Sequence, residues 1–300
     1  MKTDALGGFA LAWLLLAVQS AEAQRGPQDP AARERAYQEE MATPNPVPAR
    51  HSYWIDELTW MEVRDRIAEG YTTAIIPTGG IEQNGPYLTT GKHNVIMEGA
   101  CPAIAEKLGN ALCAPVVPFV PEDSIDPPSG AMRYPGSISL RPETYEAMLD
   151  DIASSLEAHG FTDVVLIGDS GGNQSGMEVV AETLNRRWAG SGSKAHFVRE
   201  YYTPGWEATE DYTAEVLGVE ETRSDGYHDD IWVTALMMIT DPTTVRWDER
   251  VEVGLAEING VSIVPLQKTV ELGLRMQDFR AELTVQAIRA SIEGTSSNRR

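Results

Sequence analysis

The sequence predicts a layered α/β domain with a mostly parallel sheet, on three observations. Helical apolar stripes and short apolar strand segments alternate along most of the chain. Glycine-rich turns stand directly after two of those strands, at Gly79-Gly80 and Gly171-Gly172. No repeat of fixed period replaces the alternation.

The N-terminus carries an apolar run from Leu6 to Val18, then Ala21-Glu22-Ala23, a small-x-small site before Gln24. This pattern predicts a secretory signal peptide over residues 1–23; the run is too short to span a bilayer comfortably. Residues 24–50, with Pro44, Pro46 and Pro48 spaced by single residues, read as a linker. The folded domain is expected over 51–293 and a disordered tail over 294–300.

Within the domain, Thr59-x-x-Glu62 is a capping box opening a helix whose face carries Trp60, Val63 and Ile67, closed by Gly70. A strand follows at Thr72 to Pro77. A helix from near Asn94 to Leu108 contains Pro102, which must kink it or mark its start. Ala111 to Val117 reads as a short buried strand, weakened by Pro115. Pro142 fits the first turn of a helix with Tyr145, Met148, Leu149, Ile152 and Leu156 on one stripe. Val164 to Ile167 is the next strand. A helix through Val179, Val180 and Leu184, a strand near Phe197, an apolar helix over Ile231 to Ile239 and an amphipathic helix around Phe279 to Ile288 complete the series.

Charge and cysteine content narrow the function. Lys+Arg 24 against Asp+Glu 45 leaves a net charge of −21, which repels phosphate backbones and anionic membranes. Nucleic acid and, after signal cleavage, membrane surfaces are therefore not expected partners. Cys101 and Cys113 cannot make a disulfide framework, and two buried thiols are expected, although export would permit one bridge.

Candidate chemistry sits in the turns. Glu82 follows the first strand; on its own it could be a solvated loop carboxylate. Gly168 to Asn173 could bring backbone N–H groups to an oxyanion or could simply form a tight turn. His51, His159 and His196 have structural explanations. His93 precedes a helix, and His228 stands beside Asp229 and Asp230, so imidazole and carboxylate donors suited to Zn²⁺ or Mn²⁺ are available.

The order of these motifs resembles the creatininase (creatinine amidohydrolase) family. Glu82-Gln83-Asn84-Gly85-Pro86-Tyr87-Leu88 stands where the family has Glu-Gln-His-Gly-Pro-His-Leu, and Gly91-Lys92-His93 where it has Gly-Thr-Asp. Pro135 to Leu140 resembles Pro-Gly-Thr-Ile-Ser-Leu, and Gly168 to Asn173 resembles Asn-Gly-His-Gly-Gly-Asn. His228-Asp229-Asp230 through Ala235 aligns with the later His-Ala-Gly segment.

The resemblance implies a three-layer fold, a metal-dependent hydrolase acting on C–N bonds of small, cyclic amides, and a homo-oligomer, with hexameric rings in relatives. Three positions that help hold two metal ions in the family are changed, to Asn84, His93 and Ser170, and the late catalytic Glu is Val233. One ion per chain, Zn or Mn, is therefore expected, held by Glu82, His93 and Asp169, with the late aspartates in reserve. His228, with Asp229 and Asp230, is assigned the acid–base work, and Asn84, Ser170, Gly171, Gly172 and Asn173 the small-molecule substrate. The competing expectation is an exported binding protein that has lost catalysis.

Overall fold

The computed structural model describes residues 29–297, and the signal peptide expected over 1–23 lies outside them. The described residues belong to two units, divided between Ala49 and Arg50. The first holds helix α1, Pro30–Ala42, capped by the Asp29 carboxylate and with no buried residue. Part of the segment expected to be linker is thus helical.

The second unit opens with α2, Trp60–Ala68, where both bonds of the Thr59–Glu62 capping box are made. Val63 and Ile67 pack on Phe161, but Trp60 is 46% exposed and leaves the predicted face. Four strands follow in a wholly parallel sheet: β1 (Thr73–Thr78), β2 (Ala111–Cys113), β3 (Asp163–Gly168) and β4 (Lys194–Phe197), in the order β2-β1-β3-β4. All six residues of β1 are buried, as expected of a strand covered on both faces.

The register assigns each side chain to a layer. Ile75 pairs with Val165 and Pro77 with Ile167; Ile75, Val165 and Ile167 face α3 (Lys92–Leu108) and the C-terminal helix α9 (Leu266–Ser297). Ile76 pairs with Leu166, and both face the opposite layer, formed by α4 (Pro142–Ala158) and α5 (Gln174–Arg187). Helix α6 (Gly205–Asp211) follows β4; then α7 (Ile231–Thr240) forms a third apolar cluster with Ile96 and Met276. Helix α8 (Trp247–Glu252) and a small hairpin of β5 (Glu257–Ile258) and β6 (Val261–Ser262) lead to α9.

Pro102 lies inside α3, one of the two places expected for it. Three expectations are revised. β2 ends at Cys113, because Pro115 has no N–H for the ladder, although Ala114 and Val117 still donate to β1 carbonyls. Cys101 and Cys113 form a disulfide instead of two thiols. Helix α9 extends to Ser297, into the tail expected to be disordered from 294. Among the described residues no helix is long and apolar enough to cross a membrane.

Candidate active site

The two glycine-rich turns meet beyond the carboxyl ends of β1 and β3, where open parallel sheets gather ligands. β3 delivers Asp169 from its last residue outward, β1 leads through Gly79-Gly80 to Glu82, and the first turn of α3 brings Lys92 and His93 between them. His93 is the centre: Nδ1 is 2.8 Å from Asp169 Oδ2 and Nε2 is 3.0 Å from Glu82 Oε1. The three residues expected to bind metal therefore do converge, but as a hydrogen-bonded chain.

Buried cations complete it. Lys92 Nζ is 3.5 Å from Glu82 Oε1 with only 1% of its side chain exposed, and it also donates to the His228 carbonyl at 3.4 Å. Arg280, on the buried face of α9, lies 3.0 Å from Asp169 Oδ1, which also accepts from the Tyr201 hydroxyl at 3.4 Å. The guanidinium stacks on the Tyr201 ring at 4.0 Å.

These contacts set the electrostatics. Burial alone would raise Glu82, but hydrogen bonds from His228 and His93 and the Lys92 charge hold it well below the usual carboxylate range. Asp169, which burial also pushes up, is held low by Arg280 and His93. Burial and Lys92 push His93 down, yet its bonds to Asp169 and Glu82 prevail and raise it. Lys92 is lowered by burial against the pull of Glu82 and Asp169.

Glu122 was not singled out from the sequence. It follows β2, accepts from Ser170 Oγ through Oε2 at 3.0 Å, and keeps Oε1 buried without a partner. Burial and the neighbouring Glu82 charge push its pKa up to about 7. Gly80, at φ +153°, permits this: a Cβ there would meet the Glu122 carboxylate. Gly172 has the same role opposite the Pro121 carbonyl.

The other expected site residues divide. His228 is at the site, with Nδ1 3.6 Å from Glu82 Oε1 and a side chain 63% exposed. Asp230 is half-buried at the start of α7, raised by burial while Lys92 and His228 lower it. Asp229 departs: its buried carboxyl is pushed up to about 6 by burial and Asp225 and feels Arg250, not the His93 chain. Asn84 and Asn173, expected to bind substrate, direct their amide nitrogens into the fold, and Asn84 Oδ1 is left buried without a partner. Asn84 Nδ2 donates to the Glu82 and Thr89 carbonyls, and Asn173 Nδ2 bonds Thr78 Oγ1 at 2.7 Å, tying the two turns together. Ser170 bonds Glu122 and receives the Gly172 N–H at 3.4 Å; Gly171 is exposed beside Tyr202. Val233 is fully buried in the α7 cluster.

The residues do not fit a divalent ion. A ligating imidazole needs a nitrogen lone pair directed at the metal. Both His93 nitrogens instead face carboxylate oxygens, and the same two carboxylates already hold Lys92, on Glu82 Oε1, and Arg280, on Asp169 Oδ1. Among the described residues no group of three or more His, Cys, Asp and Glu is arranged to hold a metal.

Comparison with known proteins supplies the lineage. The creatininase (creatinine amidohydrolase) profile matches residues 56–281. A creatinine amidohydrolase of Pseudomonas putida is 25% identical over 211 residues, which cover 67% of this chain and 76% of that protein. Among solved structures, a mutant creatininase of Zn–Zn type superposes with TM-score 0.55 at 21% identity, covering 82% of this chain and 99% of its own. A structure described as creatininase Mn gives TM-score 0.53 at 21% identity, covering 81% and 98%. These likenesses share the parallel sheet and its helical layers, and the profile spans both turns that carry Glu82 and Asp169. The chain belongs to the creatininase family.

Proposed function

We propose that the chain is an amide hydrolase that opens the C–N bond of a small, cyclic amide. Family membership supports the reaction class, and one observation carries the assignment to this site. Glu122 is an ionisable carboxylate tuned near neutrality, with a free buried oxygen, beside a cluster of fixed cations.

In the ionised form, Glu122 removes a proton from water, whose oxygen then forms a bond to the amide carbonyl carbon. The positive potential of Lys92 and His93, the cations that act on Glu122, favours the negative charge developing on the carbonyl oxygen. As the C–N bond breaks, the proton on Glu122 passes to the departing nitrogen, so water and amide become a carboxylic acid and an amine. His228, the most exposed member of the cluster, contacts the substrate at the mouth of the site. Assay of the purified chain against lactams and cyclic ureides tests the proposal.

A second reading is favoured by Lys92 and Val233: an exported protein on the same scaffold that binds a small molecule without cleaving it. Saturable binding of a panel member with no turnover would support it.

Export is proposed as well, with the mature chain starting at Gln24. The Cys101–Cys113 disulfide suits an oxidising compartment. Mass spectrometry of the mature N-terminus should find residues 1–23 removed. The chain is also proposed to assemble as a homo-oligomer, which light scattering would measure.

A further inference from the structure

We propose that this chain balances its site carboxylates with Lys92 and Arg280 in place of metal ions, and so folds and works free of Zn²⁺ or Mn²⁺ at this site. The inference deepens the hydrolase reading by specifying what stabilises the site.

The donor positions point this way one by one. Asn84 Nδ2 is turned onto main-chain carbonyls, leaving only its neutral Oδ1 buried and unpartnered, and the Ser170 hydroxyl is spent on Glu122, so neither offers a metal a basic nitrogen or a charge. Asp169 has Arg280 and Tyr201 on one oxygen and His93 on the other. Glu82 Oε1 receives three nitrogens: His93 at 3.0 Å, Lys92 at 3.5 Å and His228 at 3.6 Å. His93, bridging two carboxylates, has no nitrogen left over.

Lys92 is the decisive residue. It occupies the first position of α3, where the helix dipole disfavours a cation, and it is buried. Burying an ammonium there is tolerable only with a carboxylate opposite, which Glu82 provides. A dication entering the same space would face the Lys92 ammonium and the Arg280 guanidinium at short range, with Glu82 and Asp169 already neutralised. Glu122, His228 and Asp230 remain as donors, but Glu122 is bound to Ser170, His228 stands at the exposed rim and Asp230 faces the Lys92 charge.

The test uses the full chain produced in medium containing both Zn²⁺ and Mn²⁺. After dialysis, elemental analysis should find far less than one equivalent of either metal, and the melting temperature should not change with EDTA or added ZnCl₂. One or more retained equivalents, with the melting temperature falling on chelation, would overturn the proposal. Lys92→Gln, which removes the ammonium, should raise affinity for ZnCl₂ at least about ten-fold in calorimetric titration, whereas Lys92→Arg should not. No gain in Lys92→Gln would refute the part assigned to Lys92. If Lys92→Gln does not fold, the wild-type measurements still decide. None of these readouts uses a substrate. A failed hydrolysis screen would leave the inference intact, and a metal-loaded protein that still cleaves amides would sink it alone.

Discussion

The Ser170 hydroxyl donates to Glu122 Oε2 at 3.0 Å, joining the turn after β3 to the segment after β2 across 48 positions of sequence. That bond orients one oxygen of a carboxylate whose other oxygen is free, beside a cation cluster.

The first prediction concerns Glu122 and pH. Its pKa is raised from the ordinary 4.5 to about 7, so its contribution to stability is full below about 4.5 and is lost as pH rises through 7. Glu122→Gln fixes the neutral state and should flatten this dependence. At pH 8 the variant should be more stable by roughly 1–3 kcal/mol, allowing for solvent screening of a partly exposed group, and near wild type at pH 4. Urea melts at the two pH values check this; a variant less stable at pH 8 would contradict it.

Asp169→Asn should destabilise by about 3–5 kcal/mol, because it leaves the buried Arg280 guanidinium without its counter-charge. The double variant Asp169→Asn/Arg280→Met should recover part of that loss, since the two sites are coupled through one ion pair. Additive losses in chemical denaturation would show that Asp169 and Arg280 act independently.

The Cys101–Cys113 disulfide links α3 to the end of β2 within the apolar cluster under the sheet. Reduction should cost roughly 2–4 kcal/mol of stability. The double variant Cys101→Ala/Cys113→Ala should lose about as much and then be indifferent to reductant. Equal melting temperatures with and without reductant in the wild type would count against a bonded pair.

Much of the fold was legible in the sequence because its strands are short, apolar and buried on both faces, so Val164 to Ile167 and Thr72 to Pro77 could be placed nearly to the residue. Trp60 was misplaced because helical spacing names a face without naming its partner. The turns bearing Glu82, His93 and Asp169 were found through motif order. Their bonding was not, because Lys and Arg are read by default as solvated. Arg280 did leave a signal: it falls on the stripe of Met276, Thr284 and Ile288, all buried. Lys92 left one too, as a cation at a helix N-terminus. Glu122 left little, since its partner Ser170 is brought to it only by the folding of the sheet.

The central claim is C–N hydrolysis at this site, and the most direct measurement follows ring opening by proton NMR. Purified wild type and Glu122→Gln would be incubated with creatinine, lactams and cyclic ureides between pH 6 and pH 8. The expected result is a ring-opened amine and carboxylate from at least one compound. The wild-type rate should rise through about pH 7 and fall by about 10²–10⁴-fold in the variant. Equal turnover by the two proteins, or tight binding across the panel with no cleavage by either, would contradict it.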